Sequence, residues 1–222
     1  MRILIHACPE RMWYAEEMLA PRLRTQGADV EIWNDVQRQG NLLACMESFK
    51  RRHGSGGTWH IQDDVLPCRD FVQRCSEYES DGVVYGFCCR QFTDDPAQTG
   101  LVHAPDAWHS FQCVRIPDEY ARDCAEWFFS GGWKESTLPE LVILKGMGKG
   151  DDTFFREYLQ LRHPYDLVRN AKPNLVEHVD WIVGGSILHP WRGFLSRSDY
   201  WDDETQVEEL KREIKRRNAP GE

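Results

Sequence analysis

The chain has 222 residues, 41% of them hydrophobic, and a net charge of −9, which suits one packed domain with a small appendage. That charge excludes a broad basic nucleic-acid surface but leaves room for a local basic channel. No stretch approaches the roughly 20 apolar residues of a membrane span, and the apolar run over residues 1–8 is too short for a signal peptide. A cytoplasmic protein is therefore expected, with its eight cysteines reduced and mostly buried. No CxxC pair occurs, and Cys88 and Cys89 are adjacent, a poor geometry for an ordinary disulfide or a zinc site. Nine Trp and ten Phe predict an aromatic core, with some rings lining a cleft.

Residues 2–7 form a compact apolar strand, broken at Cys8-Pro9-Glu10. Residues 10–26 show helical spacing of Met12, Trp13, Met18, Leu19 and Leu23, with Pro21 placed to kink or divide the helix. Gly27 stops it, and residues 29–33 alternate as a second strand ending on Asn34 and Asp35. A helix over 41–52 follows, then a glycine turn and a strand over 58–61. This alternation predicts a parallel sheet of the nucleotide-binding kind. Right-handed crossovers would gather residues 8–11, Asn34-Asp35 and Gln62-Asp63-Asp64 at one sheet edge. No GxGxxG follows the first strand and no GxxxxGK[ST] occurs, so neither a dinucleotide fingerprint nor a P-loop is supported.

The pair Asp63-Asp64 ends the third strand where open α/β sheets bind ligands, just before Pro67, which the spacing reads as opening a helix. Two adjacent carboxylates repel and need a counter-charge, and their oxygens suit Mg²⁺ or Mn²⁺. Asp63 or Asp64 could equally cap the following helix. Residues 67–78 read as helix, 82–89 as an aromatic strand and 91–107 as a long surface loop. Residues 108–116 have strand character, and Asp118 can cap a helix that runs to Gly131-Gly132. An apolar element over 138–144 and a loose glycine segment precede Asp151-Asp152, which start a helix. One of these two is expected as its cap and the other as a candidate general base. His178 lies in an extended segment over 173–181, ahead of Gly184-Gly185-Ser186, and could add an imidazole to a metal site. Residues 199–222 read as a charged terminal helix, acidic first and basic last, which suits the helix dipole. A polyanion-binding patch is the lesser reading of that tail.

In element order, residues 1–195 resemble the GT-A fold of nucleotide-sugar glycosyltransferases. Gln62-Asp63-Asp64, Asp151-Asp152 and the segment from Pro173 through His178 to Gly184-Gly185-Ser186 carry the likeness. The resemblance implies a single α/β domain over 1–198, GT-A-like (Rossmann-like), with a mixed, mostly parallel sheet flanked by helices. It implies a metal-dependent glycosyltransferase that takes a nucleotide sugar, a UDP-sugar first among them. Asp64 and His178 would hold Mn²⁺ or Mg²⁺. Gln62 stands where a strict DxD motif has its first Asp, so Asp63 is assigned to the sugar or ribose. Pro9, Arg11, Asn34, Asp35 and Gln62 would hold base and ribose, and Arg192 (or Arg197) the diphosphate. Asp152, or Asp151, would be the base of an inverting transfer.

The short acidic motif and small size also look like phage-encoded glycosyltransferases, including the TET-associated ones that sugar-modify hydroxymethylpyrimidines in DNA. On that likeness the acceptor would be hydroxymethylated DNA, contacted by Lys50-Arg51-Arg52-His53 and the basic tail, with Trp108 and His109 stacking on it. Glycan- or protein-directed transfer, a metal-dependent nucleotidyltransferase, and a non-catalytic nucleotide-binding protein are the other readings.

Overall fold

The computed structural model describes residues 1–36, 41–54, 56–79, 82–87, 100–103, 111–136, 150–164, 168–172, 174–184 and 204–217. Strand β1 (Arg2–Ala7) is continuously apolar and buried over Ile3, Leu4 and Ile5, while β2 (Asp29–Asn34) and β3 (Gly57–Gln62) carry apolar residues at alternate positions. They pair in parallel, with β1 between the other two. The sheet continues through β7 (Cys113–Pro117), β5 (Val84–Tyr85), β8 (Arg169–Lys172) and β6 (Gly100–His103), seven strands in the order β2-β1-β3-β7-β5-β8-β6. Strands β1, β2, β3, β5 and β8 run one way, and β6 and β7 run against them. The result is a mixed, mostly parallel α/β sheet. Outside it, β4 (Val65–Pro67) and β9 (Val176–His178) form a two-stranded antiparallel ribbon.

The chain steps from β1 to β2 in one direction and from β2 across to β3 in the other. Crossovers of one hand then put the intervening helices on opposite faces. Helix α1 (residues 12–25) packs with Ile3, Ile5, Trp59 and Ile61. Helices α2 (Asn41–Lys50), α4 (Asp118–Ser130) and α5 (Asp151–Arg162) close the other face over Tyr85, Val114 and Ile116. Helix α3 (Phe71–Ser76) and the terminal helix α6 (Glu204–Arg217) join the α1 side through Phe71, Val207 and Leu210.

Several local expectations are corrected. Pro67 ends β4 rather than opening a helix, and α3 begins at Phe71. Asp63 and Asp64 therefore lie in a turn between two strands, where there is no helix to cap. Part of the expected loop over 91–107 is strand β6, and β8 had no counterpart in the sequence reading. Helix α4 has Pro117 at its N-cap, not Asp118, and Gly131 ends it in the left-handed region at φ 76°. Around Pro21, α1 absorbs the lost donor through a π turn over Ala15–Leu19, closed by Ala20 N–H donating to Ala15 O. The expected element over 138–144 lies outside the described residues.

Candidate active site

Parallel pairing brings the ends of β1, β2 and β3 to one edge, where Asp35 N–H donates to Ala7 O at 3.0 Å. After β1 the chain turns through a 3₁₀ segment, Pro9–Arg11, with Pro at the first helical position where no amide donor is needed. That turn delivers Arg11 onto the acidic pair. Its Nη2 lies 2.7 Å from Asp63 Oδ1 and 3.2 Å from Asp64 Oδ2. Cys8 N–H donates to Asp63 Oδ2 at 2.7 Å. The counter-charge that adjacent carboxylates require is therefore Arg11.

The β4–β9 ribbon supplies the next member. Val65 faces His178 in register, and Val179 N–H donates to Asp64 O at 2.7 Å, which fixes His178 beside Asp64. His178 Nε2 lies 3.3 Å from Asp64 Oδ2, an ion-pair contact off the line of a hydrogen bond. Phe87 packs its ring edge-on to His178 at 6.1 Å. Burial opposes the charge on Asp64, but His178 and Arg11 outweigh it and hold the carboxyl well below the usual range. Burial lowers His178 in turn, and Asp64 overrides it, raising the imidazole. For Asp63 burial prevails over the pull of Arg11 and pushes the carboxyl up.

Asp151 completes the group from the start of α5. Gly150 takes the N-cap position at φ 96°, so neither Asp151 nor Asp152 is the cap. Asp152 is half-buried, and its Oδ1 accepts from Thr153 N–H at 2.6 Å. Asp151 is buried, and its pKa is pushed up to about 7, first by burial, then by the Asp152 charge, with Asp64 contributing. A carboxylate poised near neutrality and within the field of Asp64 is what a general base there requires.

The remaining sequence-derived candidates lie around this edge. Pro9 is exposed in the turn, Asn34 is exposed at the end of β2, and Asp35 and Gln62 are half-buried beside them. Arg192, Arg197, Trp108 and His109 lie outside the described residues. Of the basic run 50–53, Arg52 and His53 belong to the opposite edge, whereas the Arg51 guanidinium lies over the Trp33 ring at 4.5 Å, one residue before Asn34. Arg2, which opens β1, donates to His53 O, and Arg122 donates to Arg52 O and Gly54 O just ahead of β3. A six-residue strand, about 20 Å, separates His53 from Asp63. Sequence reasoning missed Tyr14, whose hydroxyl donates to Val65 O at 2.8 Å and anchors the ribbon. It also missed Tyr85, Phe87 and Asn170. The aromatic strand was a signal for the first two, and nothing pointed to Asn170.

Among the described residues no group of three or more His, Cys, Asp or Glu is arranged to hold a metal. Two donor atoms do fit one. Asp64 Oδ1 and His178 Nε2 are both buried without a hydrogen-bond partner among those residues. A carboxylate and an imidazole suit Mn²⁺, with phosphate oxygens filling the other positions. The Cys8 thiol is pushed up to about 12, first by burial and then by Asp63, which excludes it as a nucleophile near neutral pH.

No known family matches this sequence, and no curated protein matches it. Among solved structures the chain is similar to A197 from STIV at a TM-score of 0.39 and 14% identity, covering 80% of this chain and 84% of that one. Its likeness to HddC from Yersinia pseudotuberculosis has a TM-score of 0.40 at 11% identity, over 76% and 88% of the two chains. The inositol-1-phosphate CTP transferase from T. maritima gives a TM-score of 0.40 at 11% identity, over 96% and 77%. Likenesses this distant establish neither a family nor an activity.

Proposed function

We propose that the chain is a glycosyltransferase that moves a sugar from a nucleotide-sugar donor, a UDP-sugar first among them, to an acceptor hydroxyl. The observation that carries the reading is the buried group of Asp64, Arg11 and His178 at the carboxyl edge of β3, with Asp151 poised near neutrality in the field of Asp64. Asn34, Asp35, Gln62 and the Pro9 turn border this edge and hold base and ribose. Arg11 already balances the acidic pair and presents a fixed cation to the diphosphate. Asp64 and His178 would hold a divalent cation, Mn²⁺ or Mg²⁺, which when bound neutralises the diphosphate leaving group.

Asp151 takes the proton from the acceptor O–H as that oxygen bonds to the anomeric carbon. The bond from that carbon to the diphosphate oxygen breaks, and its electron pair leaves with the nucleoside diphosphate. Asp151 takes this role ahead of Asp152 because it is the buried one of the two, while Asp152 is bonded to its own helix start.

The test is thermal stability of wild type and Asp64→Ala against a panel of nucleotide sugars, with and without Mn²⁺. A Mn²⁺-dependent rise of the midpoint with one donor, lost in Asp64→Ala, is the expected result. No rise with any donor, in protein shown to be folded, overturns the reading. Release of pyrophosphate instead of a nucleoside diphosphate would assign a nucleotidyltransferase.

A further inference from the structure

Resting on that reading, we propose that Asn170 determines acceptor specificity from a subsite beside Asp151, donating its side-chain amide to an acceptor oxygen that neighbours the reacting hydroxyl. Asn170 lies in β8, paired in parallel register with Tyr85 of β5, and registered neighbours in parallel strands project to the same face. That face is the one covered by α5, since Tyr85 packs with Phe154, Phe155 and Tyr158 of that helix. Both strands run in the direction of β3, so their ends approach the same edge as Asp63 and Asp64. Two residues beyond Tyr85, Phe87 touches His178. The charges of Asp152 and Asp151 reach the Tyr85 hydroxyl, whose proton is held chiefly by burial. Tyr85 thus lies between the Asp64 group and the start of α5, and Asn170 is its neighbour in the next strand, on the side away from β3.

Asn170 is 3% exposed, and its Nδ2 has no hydrogen-bond partner among the described residues. Buried amide donors in folded proteins are nearly always matched, so an unmatched one beside a reaction centre fits a donor kept for a ligand. An amide N–H₂ can only donate. The complementary ligand carries an acceptor oxygen next to its reacting hydroxyl, either a vicinal hydroxyl, as on a sugar ring, or a carbonyl, as beside a hydroxymethyl group on a pyrimidine.

The experiment uses the full chain with the donor found above and three small acceptors. Methyl glucoside offers a vicinal hydroxyl, 5-hydroxymethyluracil a neighbouring carbonyl, and benzyl alcohol neither. Wild type is expected to favour one of the first two over benzyl alcohol by at least tenfold in kcat/KM. Asn170→Leu, which keeps the branched shape and removes the donor without adding a charge beside Asp151, is expected to erase that preference while leaving donor KM and donor hydrolysis by water within about twofold. The identity of the favoured arm tells sugar from pyrimidine. Should Asn170→Leu misfold, the side-chain amide resonance of Asn170 in wild type gives the second readout, and it must shift when the favoured acceptor is added. An unchanged preference in the variant, or an unmoved resonance, overturns the subsite while donor hydrolysis still stands. Absence of any donor consumption by wild type overturns the transferase reading, and the subsite with it.

Discussion

On the proposed reading, Asp151 would tie catalysis to stability through one proton. Its folded pKa is raised, so the folded state holds that proton more tightly than the unfolded chain does. Its contribution is full below the ordinary carboxylate range and is lost as pH rises through about 7. Asp151→Asn should therefore melt above wild type at pH 8, match it near pH 4, and transfer no sugar. At ~1.4 kcal/mol per pH unit the difference is at most a few kcal/mol. Melting curves at both pH values check the sign, and wild-type turnover should rise between pH 6 and 8. Arg11 has the opposite consequence. Arg11→Ala strands two buried carboxylates, an expected loss of roughly 3–5 kcal/mol by urea titration. His6 and His60 touch through Nε2 and Nδ1 at 3.1 Å, and burial lowers His6 to about 3, helped by the Arg52 charge. Burial, then Arg52 and His6, likewise lowers His60. Both stay neutral in the fold while the unfolded chain gains protons below about 6.5, so stability is lost as pH falls from there toward 3. Replacing both with Gln should flatten the acid limb of stability against pH.

At the scale of elements, α6 shows how a segment that reads as a charged tail becomes a structural one. Its outward ion pairs are exposed. Arg217 meets Glu17 and the Trp13 ring, Lys211 lies over Trp181 at 4.7 Å, and Arg69 reaches Glu209 at 3.1 Å. Its inward residues Val207 and Leu210 are buried against the α1 side. Burial of that kind outweighs exposed pairs, which are worth at most about 1 kcal/mol each. Leu210→Ala should cost roughly 2–5 kcal/mol in chemical denaturation, and Arg217→Ala much less. The reverse order would mean that the charges hold the helix. The partners of α6 (α1, the Arg69 segment and the turn after β9) are also the segments that follow Arg11, Asp64 and His178 in the chain.

For the whole molecule, charge is divided between two sheet edges. The carboxyl edge holds the Asp63, Asp64 and Asp151 carboxylates with Arg11, and the amino edge gathers Arg2, Arg52 and Arg122 around buried Asp118. His53→Glu, at the amino edge, should leave donor affinity within about twofold, because ~20 Å exceeds the Debye length at physiological salt. A calorimetric titration with the donor checks this. The sequence by itself determined the first three strands, their parallel order and the edge that gathers residues 8–11, 34–35 and 62–64, because strand period and crossover hand are local rules. It also marked Asp151, Asp152 and His178 as chemistry-bearing side chains, by residue type and position. Only the tertiary structure decided their company. Arg11 as counter-ion, the ribbon that brings His178 to Asp64, Tyr85 and Asn170 under α5, and the separation of Arg52 and His53 from the acidic edge all depend on pairings between residues far apart in the chain. Burial sets the proton affinity of Asp151, and no spacing along a single strand or helix encodes burial.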